Sequence, residues 1–160
     1  MITAWRIVKG EYVEGAFEGK SASFAGGRWN SRGVAVVYTS STASLAALEL
    51  LVHLERDRDL SEFVIFACTF DETTVEDIDR DKLPHGWNGY PAPDALAEIG
   101  NIWIVAATSA VLRVPSVIID SEFNYLLNPA HREFRKIQIA DPVPFSLDMR
   151  LLGIHRPKTR

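Results

Sequence analysis

Short segments in which apolar and polar residues alternate, or apolar residues form a run, predict the strands of this chain. In residues 1–8 (MITAWRIV) an arginine stands between two large apolar residues, and residues 34–40 (VAVVYTS) are rich in β-branched side chains. Residues 61–70 (SEFVIFACTF) and 135–145 (RKIQIADPVPF) contain two further runs of this kind. We therefore expect a strand in each of these four segments.

Two other segments carry apolar residues at helical spacing. Residues 42–56 (TASLAALELLVHLER) begin with Ser and Thr side chains that can cap a helix N-terminus. Residues 93–106 (PDALAEIGNIWIVA) follow a loop that is rich in Pro and Gly, residues 84–94. We expect a helix in both segments, and a charged turn at residues 71–84.

The remaining chain is harder to assign because its pattern is interrupted. Residues 110–119 (AVLRVPSVII) predict a pair of strands broken at Pro115, since proline lacks the amide hydrogen that a central strand needs. Residues 121–134 (SEFNYLLNPAHREF) predict a turn-rich stretch. Strands outnumber helices and do not alternate with them regularly, so the fold class that we expect is α+β, a single mixed domain with a strand-rich core.

Composition limits the function more than the fold. The chain has 160 residues, and we expect one domain over residues 1–153 and a basic tail over 154–160. A formal net charge of -4 argues against binding to nucleic-acid phosphates. The single cysteine, Cys68, excludes an internal disulfide, and its apolar neighbours predict a buried thiol. The chain has no N-terminal signal peptide and no bilayer-length apolar run, which predicts a cytoplasmic protein without a membrane partner.

Glu49 is the charged residue with the most apolar surroundings in the sequence. On a helix it would share a face with Leu45 and Val52, at i-4 and i+3. Burying an unpaired carboxylate is strongly unfavourable, so its presence there points to a functional partner. A glutamate that reaches solvent at the edge of the face, or one neutralised by a structural arginine, explains the pattern equally well.

Residues 24–33 (FAGGRWNSRG) combine three glycines, two arginines, a tryptophan and an asparagine. The glycines permit close approach of the backbone to another group, and the planar guanidinium of Arg28 suggests a bound anion. The alternative is an ordinary surface hairpin with an exposed arginine and with Trp29 anchored in the core.

Several other polar residues are weak signals when they are taken singly. Tyr38 ends a predicted strand, and Ser116 follows a proline without the G-x-S-x-G turn of a hydrolase nucleophile. Asn124, Asn128 and His131 lie in the turn-rich stretch, where asparagine side chains often bond to their own backbone. No metal-ligand spacing, phosphate loop or dinucleotide fingerprint is present, so we expect neither a metal nor a cofactor.

Taken together, these motifs resemble the RES-domain family. The resemblance rests on GGRWN at 26–30, on Tyr38, on Glu49 and on VPS…NYLLNPAH from 114 to 131, in that order and spacing. It implies an ADP-ribosyltransferase-like fold and a toxin of a type II toxin–antitoxin system that degrades NAD. NAD would be the substrate, and an Xre-like helix-turn-helix antitoxin would be the partner and would bind the DNA. A homodimer within that complex remains open.

The resemblance also assigns roles to residues. The catalytic residues would be Arg28, Glu49 and Ser116, with Tyr38 as a further residue of the active site. Glu49 would stabilise positive charge on the ribose, Tyr38 would stack on nicotinamide, and Ser116 would position groups rather than attack. A second tier of polar residues would bind substrate: Arg6, Arg32, Asn124, Asn128 and His131.

Three functions remain open at this point. The first is an enzyme that cleaves the nicotinamide N-glycosidic bond of NAD by hydrolysis or phosphorolysis. The second is a transferase that attaches ADP-ribose to a protein. The third is a non-catalytic module that senses nucleotides or binds a partner.

Overall fold

The secondary structure comes from a computed structural model that describes residues 1–54 and 62–152. The described residues form eight strands: β1 (Ile2–Lys9), β2 (Val37–Ser40), β3 (Phe63–Phe70), β4 (Val75–Asp77), β5 (Val111–Pro115), β6 (Phe123–Leu127), β7 (Gln138–Ile139) and β8 (Val143–Phe145). Their α-helices are α1 (Lys20–Ala25), α2 (Ala43–His53) and α3 (Asp94–Ala106). Short 3₁₀ turns occupy Gly10–Tyr12, Glu72–Thr74, Arg80–Lys82, Phe134–Lys136 and Met149–Leu152.

All of these strands belong to one sheet, in the order β4-β5-β6-β2-β1-β3-β7, with β8 also paired to β3. The longest pairing is the antiparallel one between β1 and β3, and the pairing of β4 with β5 is parallel. The helices are few and do not connect successive strands in a regular way. The predicted strand-rich α+β architecture is therefore confirmed.

Neighbouring residues of the central strands point to opposite faces of the sheet and bury two separate cores. On one face Val37 and Leu127 join Phe70 in a cluster that we call the Phe70 core. On the other face Val36 and Leu126 join a cluster around Trp29, which we call the Trp29 core. The buried Trp29 confirms that this residue anchors residues 24–33 to the interior.

Both predicted helices are present, and each has a recognisable local cause. The Thr42 side chain caps α2 by accepting a hydrogen bond of 3.0 Å from the backbone nitrogen of Leu45. Helix α3 covers the Trp29 core with Leu96 and Trp103. At Gly100 the helix lies so close to residues 24–33 that a Cβ atom would overlap the carbonyl oxygen of Trp29.

The structure corrects two predictions in the region after α3. Residues 121–134 are not simply turn-rich, because Phe123–Leu127 form β6, which lies between β5 and β2. The predicted strand pair at 110–119 is a single strand that ends at Pro115. The chain turns there because the Ser116 hydroxyl accepts hydrogen bonds from the backbone nitrogens of Ile118 and Ile119.

Other boundaries shift by a few residues. Strand β2 begins at Val37 rather than at residue 34, and the last predicted strand is split into β7 and β8 around Asp141 and Pro142. The predicted end of the first helix, at 55–56, and the predicted tail at 154–160 lie outside the described residues.

Two further sequence-based expectations concern burial and hydropathy. Cys68 is fully buried, as expected, and burial raises the pKa of its thiol to about 12. Among the helices of the part that the structure describes, none has the length and apolar character needed to cross a bilayer.

Candidate active site

The carboxylate of Glu49 is held against the sheet by an asparagine. Glu49 lies on α2, and its Oε1 atom accepts a hydrogen bond of 2.7 Å from Nδ2 of Asn124 on β6. A second contact joins the same elements, since the Thr42 hydroxyl donates to the Glu122 carboxylate at 2.7 Å. These two contacts fix the start and the middle of α2 relative to β6.

The apolar face that the sequence predicts around Glu49 is only partly buried. Leu45 is fully buried, but Val52 is 64 % exposed, so the predicted apolar face is buried at Leu45 and open to solvent at Val52. Helix α2 packs on β1 and β2, and its buried residues, Leu45 and Ala46, lie near its start. Glu49 is half-buried at this boundary.

Arg28 is bound to a loop that is distant in sequence. Its guanidinium donates from Nη1 to the carbonyl oxygens of Trp87 at 2.7 Å and Gly89 at 3.1 Å, and from Nη2 to Gly89 at 3.1 Å. The guanidinium of Arg80 stacks on the Trp87 ring at 5.1 Å and holds the same loop from another side. Arg28 therefore joins residues 24–33 to residues 86–90.

Electrostatic interactions place Arg28, Glu49 and Tyr38 in one site. Partial burial lowers the pKa of Arg28, and the negative charge of Glu49 opposes that shift. Burial raises the pKa of Tyr38 above its ordinary value; its hydrogen bond from the Trp29 backbone and the nearby Arg28 oppose this, and Glu49 adds to it. The three predicted residues therefore lie within electrostatic range of one another.

The hydroxyl of Tyr38 organises the glycine-rich segment. It donates to Oδ1 of Asn30 at 2.7 Å and accepts from the backbone nitrogen of Trp29 at 3.1 Å. A Cβ atom at Gly27 would come within 2.7 Å of this hydroxyl, so only glycine fits there without displacement. The predicted stacking of the Tyr38 ring on nicotinamide stays a prediction.

Asn30 is a residue whose role the sequence reasoning missed. It is almost fully buried, and its Nδ2 donates to the carbonyl oxygens of Ala22 at 2.9 Å and Val34 at 3.0 Å. Together with its bond to Tyr38, these contacts close the loop that presents Arg28. The asparagine of the GGRWN motif could have indicated this role. It follows a Trp that anchors the turn in the core, and a polar side chain buried there needs hydrogen-bond partners.

Arg6 lies on the opposite face of the sheet from Asn124. It follows Ala4 by two positions on β1 and therefore faces the Phe70 core. Its guanidinium donates to the carbonyl oxygens of Ala16 at 2.7 Å and Tyr38 at 2.8 Å, and burial lowers its pKa to about 10. The contact with the Tyr38 backbone makes Arg6 a support of the site.

Ser116, predicted to be catalytic, and two second-tier residues bond to backbone groups. Ser116 is buried, and the described hydrogen bonds of its side chain are the turn contacts given above. Asn128 donates to the carbonyl oxygen of Ile104 and accepts from the backbone nitrogen of Ala130. The His131 ring bonds to the carbonyl oxygen of Ala107 and to the backbone nitrogen of Glu133.

The positions of the predicted substrate-binding residues show which of them lie close to Glu49. Asn128 is four residues beyond Asn124 along an extended strand, a separation of roughly 13 Å. Arg32 is exposed, and its side chain makes no hydrogen bond or ion pair within residues 1–54 and 62–152. Asn124 meets Glu49, whereas the proposed substrate contacts of Arg32, Asn128 and His131 stay predictions.

The chemistry available at this site is that of an oriented carboxylate beside a guanidinium and a phenol. In the described part of the chain, no group of three or more His, Cys, Asp or Glu side chains is arranged to hold a metal ion. Such a carboxylate can stabilise a positive charge that develops nearby, and a guanidinium can bind an anionic group of the same substrate.

Comparison with known families assigns the chain to a class. The RES domain family matches residues 3–148, nearly the whole chain. The chain therefore belongs to the RES domain family, as the motifs around Arg28, Glu49 and Ser116 predicted.

Similar proteins of known name are toxins. "Toxin Res" of Yersinia enterocolitica is 36% identical over 148 residues, which cover 92% of this chain and 97% of that protein. "Prs ADP-ribosylating toxin" of Sphingobium sp. is 35% identical over 153 residues, covering 92% and 95%.

A solved structure shares the fold. The chain is similar to one in the crystal structure of the M. tuberculosis MbcT–MbcA toxin–antitoxin complex, with a TM-score of 0.74 and 14% identity. The similarity covers 91% of this chain and 84% of that one.

Proposed function

We propose that this protein is the toxin of a toxin–antitoxin pair and that it degrades NAD by cleaving the bond between nicotinamide and ribose. The observation that carries the proposal is the Glu49 carboxylate, which is oriented by Asn124 and lies within electrostatic range of Arg28 and Tyr38. The toxin names of relatives that match almost their full length support the biological class.

The reaction suits a site with one oriented carboxylate. The bond between C1′ of the ribose and the nicotinamide nitrogen breaks, and the ring keeps the electron pair and becomes neutral. The ribose then carries oxocarbenium-like positive charge, as in glycoside hydrolysis. Glu49 stabilises that charge, and because the leaving group is neutral, no strong general acid is required.

Arg28 and Tyr38 complete the proposed binding site. The Nε–H and one Nη2–H of Arg28 are not used in its bonds to residues 87 and 89, and they can bind a phosphate oxygen of NAD. Tyr38 lies beside the same carboxylate and supplies an aromatic ring of the size of nicotinamide. Ser116 would keep the turn after β5 in place rather than act as a nucleophile.

The acceptor of the ribosyl group distinguishes three versions of this function. Water gives ADP-ribose and releases a proton, whereas phosphate gives a phosphorylated ADP-ribose. A protein side chain as the acceptor gives an ADP-ribosylated protein. The last version is supported by the relative from Sphingobium, which is named as an ADP-ribosylating toxin.

Three incubations separate these versions. The purified protein is incubated with NAD in buffer with and without phosphate, and separately with labelled NAD and a cell lysate, and the products are identified by mass. We expect free nicotinamide wherever the acceptor is present, and the second product shows which acceptor was used. NAD that persists in all three incubations would contradict the proposal.

Glu49→Gln and Glu98→Gln provide the matched pair of variants for this assay. Glu98 is an exposed glutamate on α3 and controls for the change of charge. We expect loss of product with the first variant and wild-type product with the second.

The proposed partner is an antitoxin of the Xre-like helix-turn-helix type. A protein that consumes NAD harms its own cell unless an inhibitor is present, and the solved relative is a toxin–antitoxin complex. We expect the antitoxin to place an acidic or C-terminal carboxylate group against Arg28, where residues 24–33 meet residues 86–90, because the guanidinium favours an anion there. Co-expression should restore growth, and a purified complex that degrades NAD at the free rate would contradict this mode of inhibition.

A further inference from the structure

One buried polar atom beside Glu49 has no partner. Asn124 lies on β6 between Ser40 of β2 and Val114 of β5, and its Nδ2 donates to Glu49. Its Oδ1 is buried and accepts no hydrogen bond, and it is the single such side-chain atom in residues 1–54 and 62–152.

The orientation of this amide follows from the chemistry of its partner. An ionised carboxylate has only acceptor atoms, so the group that faces Oε1 of Glu49 must be the donor, Nδ2. Turning the amide by half a rotation would place Oδ1 of Asn124 against that oxygen, and two acceptors would then be in contact. The bond to Glu49 therefore forces Oδ1 into a place that offers no donor.

Stability alone does not favour an asparagine here. A buried acceptor without a donor destabilises the folded state, and native proteins contain few of them. Two neighbours on this face of the sheet are apolar, Val114 through the pairing of β5 with β6 and Leu126 two residues further along β6, and the third is the buried Ser40 of β2. An aliphatic side chain would remove the unsatisfied oxygen, and what it would lose is the bond to the half-buried carboxylate of Glu49.

We propose that Asn124 is a positioning residue for Glu49, retained for turnover rather than for stability. A glutamate side chain has several rotatable bonds, and binding Oε1 leaves Oε2 directed at the substrate in a defined orientation. The Thr42–Glu122 contact keeps α2 and β6 in register, so the amide acts on a helix that is already fixed. The inference rests on the proposed NAD cleavage.

Two variants of Asn124 and one control test it. Asn124→Leu removes the amide and its unsatisfied oxygen. Asn124→Asp keeps the shape but places a second carboxylate beside Glu49, which also interacts with the charges of Arg28 and Tyr38 and contacts the His53 ring through its backbone oxygen. Gln138→Glu, on the exposed strand β7, controls for the added charge. Each is measured for kcat, KM for NAD, pH dependence of kcat and melting temperature.

We expect Asn124→Leu to lower kcat about a hundredfold while KM changes little, since the carboxylate is misplaced rather than lost. Its melting temperature should equal or exceed that of the wild type. In Asn124→Asp two adjacent carboxylates share a proton, so the acidic limb of the pH profile should move up by about one pH unit. Gln138→Glu should match the wild type in every measurement.

Three outcomes overturn the inference. They are wild-type kcat in Asn124→Leu, a lost activity explained wholly by a lower melting temperature, or an unshifted pH profile in an active Asn124→Asp protein. Failure of the proposed function has a different signature, because then the wild-type protein consumes no NAD and Glu49→Gln behaves identically. If the wild-type protein consumes NAD and the Glu49→Gln variant does not, the proposed function holds. The results for the Asn124 variants then test the role of Asn124 alone.

Discussion

Two asparagines mark the two ends of strand β6, and their surroundings differ in one decisive respect. Asn128, just after the strand, is almost fully buried, and both of its amide atoms bond to backbone groups of residues 104 and 130. Asn124, near the start of the strand, bonds to a carboxylate and leaves its oxygen without a partner. Both amide atoms of Asn128 are therefore hydrogen-bonded to the backbone, whereas only the nitrogen of the Asn124 amide has a partner.

The difference distinguishes a polar side chain that stabilises the fold from one that orients a residue of the candidate active site. A buried side chain bonded to backbone groups fixes a loop, as Asn30 also does for residues 24–33. A half-buried side chain such as Asn124, which holds a charged side chain while its own oxygen has no partner, has no such purpose in the fold. The same criterion assigns Arg6, bonded to two carbonyl oxygens, to the fold.

Glu49→Gln gives the largest effect that we expect at the Asn124 end. The Gln oxygen can still accept the bond from Asn124, but the negative charge that stabilises the developing ribose cation is lost. We expect kcat for NAD loss to fall on the order of 10³-fold, with little change in NAD affinity or in melting temperature. Turnover near the wild-type value would remove Glu49 from catalysis.

Asn128→Leu tests the other end of the strand, where we expect a loss of stability. The change leaves the carbonyl oxygen of Ile104 and the backbone nitrogen of Ala130 without their partners. The free energy of unfolding should fall by about 3 kcal/mol, measured by urea denaturation. An unchanged stability together with a raised KM for NAD would support the sequence-based prediction that Asn128 contacts substrate.

The sequence predicted elements whose causes are local. Helix α2 was predictable because Thr42 and the apolar spacing that follows it are adjacent in the chain. Strand β6 was not, since Asn124 interrupts its apolar pattern, and the partner that explains this asparagine lies 75 residues away, on α2.

The candidate site shows the same limit. The residue types at Arg28, Tyr38 and Glu49 were readable from their motifs, and the structure brings these three together. The carbonyl partners of Arg28 were not readable, because they are backbone atoms 59 and 61 residues away that carry no signature in their side chains.

Arg28→Lys tests whether Arg28, which bonds to the loop at residues 86–90, also binds the substrate. A lysine keeps the positive charge but lacks the planar set of five N–H donors. It therefore cannot bond to the carbonyl oxygens of residues 87 and 89 and bind a phosphate at the same time. We expect NAD affinity to fall about tenfold by titration calorimetry, since one bidentate contact is lost. Arg135→Lys, an exposed arginine of the last 3₁₀ turn before β7, is the control, and unchanged affinity in Arg28→Lys would remove Arg28 from the binding site.

Tyr38→Phe is the substitution with the smallest expected effect. It tests whether the Tyr38 hydroxyl stabilises the fold or takes part in the candidate active site. Its described bonds go to Asn30 and to the Trp29 backbone, which places it with the groups that build the fold. Removing it leaves both partners without that contact, and we expect the free energy of unfolding to fall by about 1 kcal/mol. The ring remains, so stacking on nicotinamide should persist and kcat should stay within about threefold of the wild type. A large fall in kcat at unchanged stability would instead place the hydroxyl on the substrate and move Tyr38 into the same class as Asn124.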